Sequence, residues 1–454
     1  MAGSFKSFLL VGAGTIALAV AASSAQAGSF GLHEQGAAGT GVSYAGVAAG
    51  SAGLSSMFWN PATITDNPGL QSSISLSGIF PYASVTPSAK TVSGLGPGAS
   101  TAGSNVARDG YLPASYSSYQ FNDSFWFGLA TNTPFGLTTK GGPNWAGQLY
   151  GRTSKVRSED FSPTIGWKIN DMISVAVGLQ IERFSVRLTQ ALGTTYGAPS
   201  VDLNGHSWGV GATAGVTLKP FDGTEIGIGY RSQVKQDLKG SIKGFPFFLI
   251  GAPVGIADAS VKSNVTLPDE VTLGLRQRIT NDFTALAGFD WTHWKLFNSF
   301  PVTIANSQFA SVPNGTTLTT LGFRYNNSWL ASIGGEYRWN DQLKLRAGLG
   351  YEKSPIDDAV RSVRLPDVDR LWTSIGASYA VNNKLSLDVS YAHAFKAGGA
   401  KINIGPGNPA YLITFLPTFQ GETKAHLDIV AVGLTYRWDD PKVVTGVAPK
   451  TAKY

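Results

Sequence analysis

Along most of the chain, apolar and polar positions alternate one by one. In "MISVAVGLQIE", Ile173, Val175, Val177, Leu179 and Ile181 fall on one side, and Ser174, Ala176, Gly178, Gln180 and Glu182 on the other. In "QLKLRAGLGYE", Leu343, Leu345, Ala347, Leu349 and Tyr351 oppose Lys344, Arg346, Gly348, Gly350 and Glu352. A period of two predicts strands with one apolar and one polar face. Short turns are expected at Asn122-Asp123, Asn170-Asp171, residues 220–223, Asn281-Asp282, Asn340-Asp341 and Asn382-Asn383. Asn and Asp suit such turns because they tolerate positive φ. Longer loops fall between them, at 86–110, 141–151, 189–203, 241–259, 302–317, 354–369 and 397–423. Six short turns alternating with seven long loops predict 14 antiparallel strands with both ends on the short-turn rim. That is the pattern of an up-and-down transmembrane β-barrel rather than a sandwich.

Within the strand beginning at Ile173, the apolar positions change phase after Ile181, so that Phe184, Val186 and Leu188 become the apolar set. A bulge near Glu182 accounts for this and turns Arg183 and Arg187 inward. In "LGFRYNNSWLASIGGEYRW", Phe323, Tyr325, Trp329, Ile333 and Tyr337 are expected to share one face, with Arg324 on the other. Trp126, Trp167, Trp339 and Trp438 lie beside short turns and read as an aromatic girdle at the periplasmic interface. "VAVGLTYRW", ending at Trp438, looks like the terminal strand that barrel-assembly machinery recognises, and residues 439–454 follow it as a tail.

Composition sharpens this picture. Only 14% of residues are charged, 55 are Gly and aromatics reach 11%, as suits a barrel whose outside is apolar. The net charge of +6 is dispersed, which argues against a nucleic-acid partner. Lys6 is the one charge in the first 27 residues, and "AQA" at 25–27 predicts a secretory signal cleaved before Gly28. No later stretch is apolar for the roughly 18 residues that a membrane helix needs. This excludes a helical water channel, although Asn-Pro-Ala occurs twice, at Asn60-Pro61-Ala62 and Asn408-Pro409-Ala410. Cysteine is absent and five His are scattered, so neither disulfides nor a metal or other cofactor is expected.

Residues 28–69 do not alternate. They are rich in Gly, Ala and Ser, poor in charge, and contain Phe30, Leu32, Tyr44, Met57, Phe58 and Trp59. Disordered arms are usually charged and poor in aromatics. A small helical plug is expected instead, inside a barrel about 25–30 Å wide that wall side chains alone cannot fill. Pro134 and Gly136 interrupt an extended run, and a closed wall without edges makes a kink there the reading of choice. The apolar stretch "GFPFFLIGAPVGIA" at 244–257, with Phe245, Phe247, Phe248 and Leu249, is a candidate external binding loop. "GHSWG" at 205–209 fits the hydrolase pattern G-x-S-x-G but lies within an alternating strand, so no nucleophile is expected.

These motifs, taken in order, carry a resemblance. "FGLHEQGAAGTGVSYAG", "NPA", "NTPFGL", "IERF", "YRSQVKQDLKG", "LPDEV", "WTHW" and "LPDVDRLW" are similar to the FadL-type outer-membrane transporters of long-chain fatty acids and hydrophobic compounds (OMPP1/FadL/TodX). The resemblance spans the chain from the plug to Trp438. It implies an N-terminal hatch at 28–69 inside a barrel over 70–438, with Asn60, Pro61 and Ala62 as a hatch hinge or a hatch–wall contact. An inward kink at Pro134, Phe135 and Gly136 opens the wall sideways. The same resemblance implies basic head-group contacts at Arg183 and Arg324, and a luminal pocket lined by hatch residues such as Phe30 and Leu32. A hydrophobic ligand, outer-membrane lipid and the barrel-assembly machinery are the implied partners of a monomer in the outer membrane of a Gram-negative bacterium. Neutral aromatic hydrocarbons are the alternative cargo; a general porin and an outer-membrane lipase are alternatives of other classes.

Overall fold

The computed structural model describes residues 29–142, 144–246, 256–307, 312–411 and 416–439. The expected signal peptide and the tail beyond Asp439 lie outside them. Fourteen antiparallel staves close into one barrel. They are β1 (Leu70–Pro87), β2 (Gly110–Gln120), β3 (Phe125–Asn132, continued by Gly136–Lys140), β4 (Thr153–Lys168), β5 (Ile173–Ala191), β6 (Ser200–Phe221) and β7 (Thr224–Arg231, continued by Val234–Pro246). The circuit continues with β8 (Ile256–Leu267, continued by Glu270–Arg278), β9 (Phe283–Thr292, continued by Ser299–Asn306) and β10 (Thr317–Gly322, continued by Ser328–Arg338). It ends with β11 (Leu343–Lys353), β12 (Asp369–Ala380), β13 (Leu385–Ala397) and β14 (Phe419–Arg437). Pairing of β1 with β14, from Gln71↔Arg437 to Pro87↔Gly421, closes the ring and removes both sheet edges.

The short turns fall where expected but work differently. Asn122, Asn170, Asn340 and Asn382 each accept hydrogen bonds on Oδ1 from the backbone N–H groups two and three residues on. Thr280 does the same with its hydroxyl before Asn281. None of these residues has positive φ. The side chain itself mimics a backbone turn, so the left-handed conformation is not needed. Trp167, Trp339 and Trp438 are exposed on the outer wall near this rim, as a girdle requires. Trp126 is a correction: it is 3% exposed, faces the lumen, and donates its indole N–H to Asn67 O of the hatch at 3.0 Å.

Residues 29–69 form short helical turns inside the barrel: Ala37–Thr40, Val47–Ala49, Gly53–Phe58 and Pro61–Asp66. Their backbone lies directly on glycines of the wall. A Cβ at Gly229 would stand 1.7 Å from Trp59 O, and one at Gly215 would stand 1.9 Å from Asn60 Oδ1. No other residue fits those positions without moving the hatch, which is one use of the abundant glycine.

Five staves are interrupted. The breaks lie at 133–135 in β3, 232–233 in β7, 268–269 in β8, 293–298 in β9 and 323–327 in β10. Two of them answer each other across the wall: His293 donates its backbone N–H to Asp269 O, and its Nδ1 lies 3.0 Å from Asp269 Oδ1. This joins the "LPDEV" and "WTHW" motifs. The cavity described next borders the breaks of β9 and β10.

Candidate functional site

Pro134 lacks an N–H and so interrupts the ladder of β3 with its neighbours. β2 pairs with β3 only as far as Ser115↔Thr131, and β3 beyond the kink follows β4 alone as a named strand. The hatch fills the vacated place. Leu32 N donates to Pro134 O at 2.8 Å, and Gly136 N donates to Phe30 O at 2.8 Å. Gly31 therefore pairs with Phe135 in antiparallel fashion. A three-residue piece of hatch completes the backbone hydrogen bonding of a kinked wall strand. Each bond satisfies a group that would otherwise be buried unpaired, at a cost of about 1–3 kcal/mol.

Above this join lies a small apolar cavity of about 90 Å³. Phe30 forms part of its floor, against Trp294 (ring centroids 4.6 Å apart), Phe297 (5.0 Å) and Phe135 (5.8 Å). Val156, Phe184, Leu238, Val265, Phe300 and Phe323 supply walls. Leu203, Val261, Val302 and Leu321 belong both to this lining and to an apolar cluster toward the extracellular loops, which includes Phe245. Apolar surface thus continues from the loops to the floor at Phe30.

Two cations border the cavity without an ion pair among the described residues, the exposed Lys262 and the half-buried Arg364. Arg364, in the loop between β11 and β12, lines it and donates to Gln190 Oε1 (2.8 Å), Thr189 O (3.2 Å) and Ser154 Oγ (3.4 Å). No carboxylate among the described residues lies within ion-pair distance of Arg364. Desolvation by burial lowers its guanidinium pKa to about 10. A desolvated guanidinium beside an empty apolar space favours an anionic ligand group.

The N-terminal end of the hatch is also tied from the loop side. Ser29 N donates to Asp367 Oδ2 at 2.9 Å, and Asp367 pairs with Arg370. Arg370 in turn reaches Glu352 at 3.1 Å, and His33 of the hatch lies 3.6 Å from the same carboxylate. The "LPDVDRLW" motif therefore holds the first residues of the hatch over the kink.

The expected site residues distribute unevenly. Phe30, Pro134, Phe135 and Gly136 come together as described. Leu32 is a correction: it makes the join but packs below it with the hatch core and does not line the cavity. Phe245 is 7% exposed and packs in the upper cluster, while Phe247, Phe248 and Leu249 lie outside the described residues. Asn60 donates Nδ2 to Ala48 O (2.7 Å) and to Val216 O of β6 (3.0 Å), while its Oδ1 accepts from Ala62 N (3.0 Å). With Pro61 opening the next helical turn, the tripeptide staples hatch to wall. Asn408 does the same job elsewhere. Its Oδ1 accepts from Ala410 N and its Nδ2 donates to Ala359 O, Arg361 O and Asn403 O, so this turn ties extracellular loops together.

Arg183 and Arg324 do not line the cavity. β5 keeps one register against β6 from Ile173 to Ala191, so the bulge expected at Glu182 is absent. Even-numbered residues face inward throughout, and Arg183 and Arg187 point outward, paired with Glu159 at 3.5 Å and Asp202 at 2.6 Å. The change of phase has another cause. Lower on the strand the lipid side is apolar; higher up the cavity side is. Arg324 sits in the break of β10 with φ 52°, and its guanidinium donates to Gly407 O. The same break splits the expected common face: Phe323 and Tyr325 line the cavity, whereas Ile333 and Tyr337 are exposed on the outer wall. Arg364 escaped the sequence reading because a lone Arg in a long loop carries no periodic signal.

Ser207 faces inward on β6 and donates to Gln236 Oε1 at 2.6 Å, in a strand and without a histidine base. A closed outer-membrane barrel, plugged by its own N-terminal segment around an apolar chamber, belongs to the class of hydrophobic-compound channels.

The chain is a member of the outer membrane protein transport protein family (OMPP1/FadL/TodX), whose model matches residues 18–440. It is 27% identical over 437 residues to the long-chain fatty acid transport protein of Escherichia coli K12, covering 86% of this chain and 93% of that one. It is 24% identical to outer membrane protein P1 of Haemophilus influenzae, covering 92% and 97%. In fold it resembles a Pseudomonas aeruginosa FadL homologue (TM-score 0.78, 22% identity, 90% of this chain and 100% of that one). It also resembles the Ralstonia pickettii toluene transporter TbuX (TM-score 0.62, 16% identity, 89% and 98%).

Proposed function

We propose that this protein takes up long-chain fatty acids across the outer membrane, without an energy source of its own. The observation that carries the reading is the join between Phe30–Leu32 and Pro134–Gly136. One hatch segment is at once part of the cavity floor and the missing partner of the kinked strand. Ligand descends the apolar surface near Phe245 and fills the cavity, with its carboxylate toward Arg364. Displacing Phe30 breaks the join. The gap at Pro134 is then free, and the ligand leaves sideways into the membrane. Apolar burial drives the first step, at about 0.8 kcal/mol per CH₂ group.

The aromatic rings around Phe297 favour a second cargo. Phe300 and Phe323 each lie 4.6 Å from it, centroid to centroid, a lining that suits neutral aromatic hydrocarbons. Uptake of radiolabelled oleate and toluene, in a host lacking its own fatty-acid transporter, separates the two. Oleate uptake well above the empty-vector level is expected. Toluene uptake alone would replace the first reading by the second, and neither would reject both.

A further inference from the structure

The strands that wall the cavity carry an unusual outer face. Below, the outward residues of β4, β5 and β6 are apolar: Ile165, Val177, Leu179, Trp208 and Val210 are all exposed, whereas Lys235, Asp237 and Asn264 hold the outward positions of β7 and β8. Just above Trp208 the outward positions become cationic. Strand pairing aligns Arg157, Ser185, His206, Lys239 and Lys262 in one row across β4, β5, β6, β7 and β8. The adjoining row pairs Lys155 with Arg187, and Arg183 lies opposite Trp208. Strands 4.7–4.9 Å apart make the five-strand row about 19 Å wide.

The neutralising acids are too few. Glu159 pairs with Arg157 (2.5 Å) and Arg183 (3.5 Å), and Asp202 pairs with Arg187 (2.6 Å). Asp237 and Asp258 are exposed nearby. Lys239 and Lys262 are exposed and form no ion pair among the described residues. Across the barrel Lys353 pairs with Asp369 (2.8 Å), His393 with Asp428 (2.7 Å) and Lys396 with Glu422 (3.9 Å), while Lys424 on β14 is exposed without an ion pair among the described residues. Cations outnumber acids in this band, which sits where the lipid-facing wall gives way to the headgroup zone on the long-loop side.

We propose that this band binds the phosphate groups of outer-leaflet glycolipid. Lys and Arg beside a membrane surface attract anionic headgroups, and a guanidinium binds phosphate oxygens through paired hydrogen bonds. The apolar wall beneath, with Trp208 at the boundary, supplies contact for the acyl chains of the same lipid. A free anion would use the cations but not that wall.

The test uses the purified full chain in neutral detergent and native mass spectrometry. Probes are bisphosphorylated lipid A, its dephosphorylated form and inorganic phosphate. The phosphorylated lipid is expected to bind at least about tenfold more tightly than the dephosphorylated one. The double variant K239Q/K262Q should lose most of that preference and still bind the dephosphorylated lipid as before. Inorganic phosphate at equal concentration should not compete. Equal binding of both lipids by the unmodified protein would overturn the proposal, whatever the variant does. So would an unchanged preference in K239Q/K262Q, or full competition by inorganic phosphate, which would mark a simple anion site. Oleate binding reports on the cavity, and because Lys262 borders it, oleate binding is compared in K239Q, which lies outside the lining.

Discussion

Arg364 and Glu34 show how single side chains set what the lumen accepts. Arg364 has no acid partner among the described residues, so a ligand carboxylate gains a charge-assisted bond that a neutral head cannot make. In Arg364→Gln, binding of oleate should weaken about tenfold while binding of oleyl alcohol stays unchanged, measured by fluorescence displacement. Equal losses for both would make Arg364 a structural residue. Glu34 lies in the hatch, fully buried, and neither carboxylate oxygen has a hydrogen-bond partner among the described residues. Burial raises its pKa from 4.5 to about 7, against the opposing pull of His33. A carboxyl with a raised value penalises the folded hatch once it ionises. Hatch stability should therefore fall as pH rises from 4.5 through 7. Protease protection of the hatch is expected to be lower at pH 8 than at pH 6, and Glu34→Gln should remove the difference.

Elements were more legible than the contacts between them. Period-two alternation and Asn-initiated turns fixed the strand count, because both are local. The kink was legible at Pro134 for the same reason. Its closure by Phe30–Leu32 was not, since no local pattern says which segment completes a ladder about a hundred residues away. The phase change in β5 misled for a physical reason: a strand can exchange its apolar face without a bulge when it passes from lipid on one side to an apolar cavity on the other. The hatch depends on such non-local fits. Asn60→Ala leaves Ala48 O and Val216 O without their donor and should loosen the hatch by about 1–3 kcal/mol. Raised basal conductance with unchanged heat-modifiable migration of the barrel is the expected result. Gly229→Ala should act in the same direction, because its methyl would collide with Trp59 O.

At the scale of the whole molecule, the barrel is a rigid wall with one replaceable strand piece. Its closed ring makes opening of the wall costly where the ladders run unbroken, and at the break beside Pro134 the hatch supplies the missing backbone partner. The proposed route requires that Gly31 be released from Phe135 before the ligand can leave. The chain contains no cysteine, so a pair placed at those two positions has no competitors. Gly31 and Phe135 form a non-hydrogen-bonded antiparallel pair, for which Cα atoms lie about 4.5 Å apart, close enough for a disulfide. Oleate uptake by G31C/F135C should fall to the empty-vector level when oxidised and return on reduction, with single-cysteine variants unaffected by either treatment. Full uptake by the oxidised, demonstrably cross-linked protein would contradict the account.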